Sequence, residues 1–422
     1  MRDQSRYTKT QVTIENGFYE DSPLRVHGVV VRIEERILKK TTSVEADLIG
    51  HNVNAIDTPA LVIDLDAMER NLRTLQRFAD QHHVKLRPHA KMHKSALLAR
   101  MQMAAGAVGV CVQKISEARA LFDAGVHDIY ISNEVVSLPK LERLARLLQE
   151  FAAHNGKLAI AVDSLEGIRN LAQALQNVDV QGSARIGVFI EIDVGQTRCG
   201  VPPGDAALPL AREMALHPRL HFAGLQAYNG RAQHQRTVAE RRATLAQVLQ
   251  DVQRTRLALE SAGFKVALVT GAGSGTFAIE AASGIFGELQ AGSYLFMDAD
   301  YAQNEADPAQ PQFEHALFVK SQIMSVQPCR AVCDAGHKSH AIDSGLPRVH
   351  GRADDLRYTS CSDEHGVLHG SHLPQLGEVV WLIPGHCDPT VNLHDHLIGV
   401  RGGLQSGVVE CIINVDARGA LS

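Results

Sequence analysis

The octapeptide "VKLRPHAK", residues 84–91, decides how the rest of the chain is read. Side chains alternate faces along a strand. Val84, Leu86, Pro88 and Ala90 then share one face, and Lys85, Arg87, His89 and Lys91 share the other. An apolar face that packs outward on helices and a polar face that points inward suit one strand of a parallel barrel. Barrel interiors normally hold branched apolar residues, so four inward polar groups are costly unless they serve a site. Lys91 falls at the C-terminal end of the stretch, where barrel active sites lie, and Lys94 falls beyond it. A lysine held there loses its proton readily and can form a Schiff base. The plainer reading is a basic strand face covered by solvent or acidic neighbours. Pro88 is unusual in a central strand and points to a local bulge.

Working outward, short apolar segments recur at 108–113, 128–133, 158–163, 185–193, 221–228, 265–273 and 287–294. Helical patterns fill nearly every interval, as in "SEARALFDAG" (116–125) and the long run 237–263. With 84–91 these make eight βα repeats, the arithmetic of a (β/α)8 TIM barrel. A doubly wound sheet would need a glycine-rich first βα turn, and "DLDAMERN" is not one. Upstream, "PALVIDLD" (59–66) reads as a strand and residues 67–83 as a helix carrying Leu72, Leu75 and Phe78 at helical spacing. The expected boundaries are an irregular N-terminal extension over 1–55, a barrel domain over 56–310 and a β-rich domain over 311–422. Within the extension "VVVRIEERILKKTT" reads as a strand or short helix. In the last domain "FVKSQIMSVQ", "RAVCDAG", "EVVWLIPGH", "HLIGVRGG" and "VVECIINV" read as strands with glycine turns.

The chain has 422 residues, 45% hydrophobic and 21% charged, with a net charge of −5. That balance and a single Trp argue against a nucleic-acid partner. Seven cysteines without a CxxC pattern, a polar start and no long apolar window point to a reduced, cytoplasmic chain with no membrane partner.

Two further stretches carry chemistry. "VTGAGSGTF" (269–277) follows the seventh expected strand. Its glycines leave backbone N–H groups open to an anion, and barrel phosphate sites are often built after strands seven and eight. A simple flexible turn is the alternative. "PGHCDPTVNLHD" (384–395) places His386 and Asp388 two apart. On extended chain they point the same way, with Cys387 opposite. Nitrogen and oxygen donors without sulfur favour Mn²⁺ or Mg²⁺, whereas a Cys387 ligand would favour zinc. A polar turn is the bland reading. Asp363, Glu364 and His365 in "CSDEHG" are further candidates, and His369 and His372 read as solvated surface.

"RPHAKMHK", "GVCVQKISEA", "EIDVGQTRCGV", "GLQAYNG", "GELQAGSYLFMDADY", "DAGHKSHAIDSGLP", "CSDEHG" and "PGHCDPTVNLHD", taken in order, resemble the D-threonine aldolase and D-serine dehydratase-like family. These are fold-type III pyridoxal-phosphate enzymes with an alanine-racemase-like barrel. The resemblance runs from about Asp57 to Gly419 and is nearest to the 3-hydroxy-D-aspartate aldolases. It implies that Lys91 carries pyridoxal 5'-phosphate and that Gly273, Ser274, Gly275 and Thr276 hold its phosphate. Gln113, Thr197, Arg198, Tyr228 and Tyr294 would line the ring or phosphate, and His386 and Asp388 would hold the divalent cation. The dehydratases of the group carry His-x-Cys there, with zinc; this chain has His-x-Asp, as the aldolases do. Some threonine aldolases have a histidine after Tyr-x-Gly, where this chain has Arg231. The base is then His89, His234 or a metal-bound water. Arg198, Arg231 or Arg87 would pair with a substrate β-carboxylate.

The implied activity is cleavage of a D-3-hydroxy amino acid, foremost 3-hydroxy-D-aspartate to glycine and glyoxylate, by a homodimer. D-threonine cleavage and β-elimination of D-serine or 3-hydroxyaspartate are the alternatives. A non-catalytic pyridoxal-phosphate carrier has the same barrel but lacks the second domain.

Overall fold

The computed structural model describes residues 25–26, 29–30, 47–178, 184–352 and 354–422. Of the N-terminal extension it shows two paired strands, β1 (Arg25–Val26) and β2 (Val29–Val30). The rest of "VVVRIEERILKKTT" beyond Val30 lies outside the described residues.

Eight parallel strands form the first sheet. They are β4 (Lys85–Leu86), β5 (Val110–Val112), β6 (Asp128–Ile131), β7 (Lys157–Val162), β8 (Ile186–Glu191), β9 (Leu220–Ala227), β10 (Val269–Gly271) and β11 (Glu288–Leu289). Each falls inside or within a residue of an expected segment. The order β4-β11-β10-β9-β8-β7-β6-β5 leaves β4 and β5 to close the ring. They do so through one parallel bridge, His89 to Cys111, with Cys111 N–H on the Pro88 carbonyl at 2.9 Å and Ala90 N–H on the Cys111 carbonyl at 2.8 Å. The expected strand 84–91 is therefore regular only over two residues. Proline has no N–H to give to a ladder, so pairing breaks at Pro88 and resumes as a single bridge.

The expected alternation survives this break. Leu86 and Ala90 are buried in the outer packing, while Arg87 and His89 point inward. Part of the barrel interior is polar and hydrogen-bonded. Arg87 Nε donates to Glu288 (3.0 Å), Thr270 Oγ1 to Glu288 (2.9 Å), Gln290 Nε2 to Thr270 (2.8 Å) and Tyr130 O–H to Gln226 (3.1 Å). A buried network costs little when every member has a partner.

The second sheet holds β12 (Leu317–Gln327), β13 (Arg330–Cys333), β14 (Arg348–Val349), β15 (Leu356–Cys361), β16 (Gly366–Gly370), β17 (Val379–Ile383), β18 (His396–Arg401) and β19 (Val408–Asn414). Helix α1 (Leu65–Gln81) is capped by the Asp64 carboxylate, which accepts from the N–H groups of Asp66 and Ala67. The strand before it, β3 (Ala60–Asp64), had been grouped with the barrel in the expected 56–310 domain. It pairs instead with β12, antiparallel, and β18, parallel, inside the second sheet. One core of buried residues runs from Leu72, Leu75 and Phe78 of α1 to Leu317 and Val319 of β12 and Leu382 of β17. Each such side chain contributes about 1.5–3 kcal/mol on burial. That shared core fixes the second sheet, and the loop after β17, over the barrel. No helix among the described residues is long and apolar enough to cross a membrane.

Candidate active site

The C-terminal ends of the barrel strands place the expected site residues in one region. Lys91 follows β4, Gln113 follows β5, Thr197 and Arg198 follow β8, Tyr228 follows β9, and Gly273 to Thr276 follow β10. Lys91 Nζ lies 3.6 Å from Asp388 Oδ2, so the two domains meet at this lysine. Burial works against its charge, but Asp388 and Tyr228 raise its pKa above the ordinary lysine value. Lys94 has a different fate. Its Nζ is 3.0 Å from Glu117 Oε1, both side chains under a tenth exposed, and it donates to the Ala417 carbonyl at 3.3 Å. Glu117 in turn accepts from the Gln113 and Lys114 N–H groups and braces the start of α3 (Ile115–Asp123), α2 (Ala96–Ala104) lying between. Lys94 is thus structural. Lys94→Met should cost about 3–5 kcal/mol of stability in chemical denaturation by leaving Glu117 unpaired.

His89 is 8% exposed and has both ring nitrogens engaged. Nδ1 accepts from the Lys91 N–H at 3.3 Å, while Nε2 lies 2.7 Å from Gln113 Nε2 and 3.3 Å from Ser132 Oγ. Burial, then the charges of Lys91 and Arg198, press its pKa well below the ordinary histidine value. His234, the other candidate base, pairs with Asp300 at 2.6 Å. Arg87 lies at the opposite end of the barrel, where Asp128 (2.6 Å) and Glu288 (3.0 Å) neutralise it. It is unavailable to a substrate, which corrects that expectation.

The glycine loop is buried and tight. A Cβ on Gly273 would stand 2.5 Å from Gln233 Oε1, and one on Gly275 2.7 Å from the Gln233 carbonyl. Side chains are therefore excluded, and part of the loop's backbone is already engaged: Gly275 N–H donates to Gln233 Oε1 at 2.9 Å and Thr276 N–H to the Gly273 carbonyl at 3.2 Å. Thr276 Oγ1 is committed to the protein, accepting from Gln233 Nε2 (2.9 Å) and donating to Glu280 (2.8 Å). Ser274 Oγ accepts from the Tyr294 N–H at 2.9 Å. The Tyr294 hydroxyl points into the core, accepting from Gln102 at 3.2 Å, so this residue meets the loop through its backbone. Arg198 sits with its guanidinium carbon 5.9 Å from the Tyr228 ring. Thr197 Oγ1 accepts from Arg231 Nη2 at 2.7 Å.

His386 and Asp388 are brought together, but not as an extended chain. His386 caps a five-residue helix, Cys387–Val391, in whose first turn Asp388 stands. The expected alternation gives way to helical geometry, which Pro389 favours by fixing φ near the helix start. His386 Nε2 is 3.8 Å from Asp388 Oδ1, and that oxygen is buried with no hydrogen-bond partner. His386 Nδ1 is 2.6 Å from Asp343 Oδ2. Burial opposes the charged imidazole, but Asp388 and Asp343 raise its pKa. Cys387 is fully buried with Sγ 3.7 Å from the Met297 carbonyl. An orphan carboxylate oxygen facing a ring nitrogen whose partner nitrogen is held by a second carboxylate suits a divalent cation. "CSDEHG" instead forms the turn between β15 and β16, with Glu364 exposed on Lys338 at 2.6 Å.

Three residues near the pair carried no assignment in the sequence. Asp343 comes from a loop far from His386, with no spacing signal. Asp298 is fully buried, accepts from the Tyr301 N–H at 3.0 Å and the Cys387 N–H at 3.3 Å, and is pushed up to about 6, chiefly by burial. Tyr301 lies close enough to Tyr228, Asp298 and Asp388 that these, after burial, raise its pKa.

Comparison with known proteins agrees with this arrangement. The alanine racemase N-terminal domain family matches residues 63–300, and the putative serine dehydratase domain matches residues 316–400. A D-threonine aldolase from Arthrobacter sp is 44% identical over 374 residues, covering 88% of this chain and 95% of that one. A 3-hydroxy-D-aspartate aldolase from Paracoccus denitrificans is 42% identical over 377 residues, covering 88% and 94%. The crystal structure of a D-threonine aldolase from Filomicrobium marinum superposes with a TM-score of 0.84 at 46% identity, covering 89% and 99%. The chain belongs to the D-threonine aldolase and D-serine dehydratase-like family built on the alanine racemase N-terminal domain, which implies pyridoxal 5'-phosphate as its cofactor.

Proposed function

We propose that the protein is a carbon–carbon lyase that splits D-3-hydroxy amino acids between Cα and Cβ. Its foremost substrate is 3-hydroxy-D-aspartate, giving glycine and glyoxylate. Lys91 carries the cofactor, Gly273 to Thr276 receive its phosphate, and Arg198, Tyr228 and Gln113 line its ring. The observation that carries this reading is Lys91 Nζ at 3.6 Å from Asp388, whose other oxygen faces His386 without a partner.

When bound, pyridoxal 5'-phosphate takes up the electron pair that the broken bond leaves on Cα. A Mg²⁺ or Mn²⁺ ion held by His386 and Asp388 would make a substrate β-hydroxyl more acidic. Asp343 fixes the His386 ring through Nδ1 and so presents Nε2 to the ion. His89 acts as a brace between Lys91 and Gln113 rather than as a base, because both its nitrogens are engaged. Supporting an aldolase over a dehydratase is the side chain two after His386: it is a carboxylate, and Cys387 is packed away from the site. Incubation with 3-hydroxy-D-aspartate and analysis of products tests the reading. Glycine and glyoxylate are expected; oxaloacetate and ammonia would overturn it.

The β-carboxylate is assigned to Arg231. Among the described residues its hydrogen bond goes to Thr197, a neutral group, and the side chain is exposed beside that loop. A charge-assisted hydrogen bond contributes about 1.5–3 kcal/mol. Arg231→Ala should therefore raise KM for 3-hydroxy-D-aspartate by about 10–100-fold. Cleavage of D-threonine, which lacks that carboxylate, should change little. Equal losses on both substrates would remove Arg231 from this role.

A further inference from the structure

The mouth of the barrel holds acidic groups that the proposed chemistry does not use. Glu191 ends β8, Glu134 follows β6, and Asp163 follows β7. Glu191 is 3% exposed, and its Oε1 lies 3.7 Å from Arg198 Nη2. Its Oε2 is buried with no hydrogen-bond partner, and so is Oε1 of Glu134. The two carboxyl groups lie within reach of one another, so that a proton on either would bridge them. Two carboxylates in contact with little water around them cannot both stay ionised cheaply, whereas one proton shared between them relieves the repulsion.

We propose that Glu134 and Glu191 hold a single shared proton and together position Arg198, keeping its guanidinium at the barrel mouth without cancelling its charge. The inference rests on the reading above only in that Arg198 serves the cofactor site.

Several features converge on it. Burial first, then Glu134 and Asp163, push Glu191 up to about 8 against the pull of Arg198. The Tyr130 hydroxyl, which donates to Gln226 at 3.1 Å inside the barrel, is held well above its usual range by burial first and then by Glu191. The Cys199 thiol, pushed up to about 12 by burial and Glu134, adds no charge near neutral pH. The loop that carries Arg198 is clamped: Gly200 N–H donates to Asp163 at 3.1 Å, and a Cβ at Gly200, with φ of +101°, would meet the Asp193 nitrogen at 2.5 Å. A guanidinium opposed by only part of a negative charge remains positive toward its other neighbours. Burial acts most strongly on His89, Lys91 and Tyr228, and Arg198 stands close enough to press the pKa of each downward.

The linkage has a definite sign. Folding raises the Glu191 pKa, so the folded chain keeps a proton that the unfolded chain releases. The stability contributed by this group falls as pH climbs from the ordinary carboxylate range to about 8, and is level on either side. The experiment measures Tm against pH on cofactor-free wild type, E191Q and E134Q. The wild-type Tm should decline over that window relative to E191Q, whose carboxamide is permanently neutral. In the holoenzyme E191A should lower kcat/KM by about tenfold or more, and E191Q should restore most of it. A basic limb near pH 8 in the wild-type rate profile should vanish in E191Q.

Identical Tm slopes for wild type and E191Q would overturn the proposal. So would an E191Q enzyme as impaired as E191A, because that would require an ionised Glu191. A second divalent ion per chain, lost on E134Q, would show that a metal and not a proton joins the pair. The cofactor-free arm needs no catalysis, so its result stands apart from the product assay. E134Q serves the same comparison should E191A fold poorly.

Discussion

Lys91→Ala should abolish both the visible absorbance of lysine-bound cofactor and the cleavage activity, the latter by about a thousandfold or more. The lysine stands in the turn that follows the first barrel strand, past the Pro88 break, and its Nζ lies 3.6 Å from Asp388. Lys94 is locked on Glu117 at 3.0 Å beneath the start of α3. The two variants thus separate two effects. Lys91→Ala keeps the fold and loses the chromophore. Lys94→Met keeps the chromophore in whatever fraction folds and loses stability. A Lys91→Ala enzyme that still forms the lysine adduct and still turns over would remove Lys91 from the chemistry.

That Lys91 stands at the barrel mouth and Lys94 beyond it was legible in the sequence, from strand alternation and the rule that barrel sites lie at strand C-termini. The eight strands were legible for a related reason. Parallel strands buried on both faces read as short continuous apolar runs, as "LAIAVD" does for β7. What escaped was long-range. "PALVID" announces a buried strand, yet nothing local says that β3 joins a sheet whose other strands lie beyond residue 316. The hairpin β15–β16 was passed over because polar residues alternate along it, as in "RYTSC". The His386–Asp388 pairing was found by spacing, but its geometry was misjudged, because a helical turn begins at Cys387 where an extended chain was read. Asp343 and Asp298 reach the pair from separate loops, so only the fold brings them together.

Removing either member of that pair is the second change with a large expected effect. Asp388→Ala or His386→Ala should abolish binding of the proposed divalent cation and lower activity by about a hundredfold or more. Excess Mg²⁺ or Mn²⁺ should not restore it, since the donor itself is gone. Asp343→Asn should behave differently. It leaves both ligands in place and weakens only the hold on His386 Nδ1, now 2.6 Å from Asp343. Loss of such a supporting carboxylate typically costs about 10–100-fold in metal affinity, which added metal can overcome. Cys387→Ser should retain the ion, because the thiol is buried against the Met297 carbonyl and its pKa is pushed well above the usual value by burial. Metal content by mass spectrometry and activity across a metal titration read all four variants. The ranking matters more than any single value. If Cys387→Ser loses the ion while Asp388→Ala keeps it, the thiol is the ligand, and the site is one for zinc. If Asp343→Asn is as damaged as His386→Ala and metal does not rescue it, Asp343 binds the ion directly instead of steering the histidine.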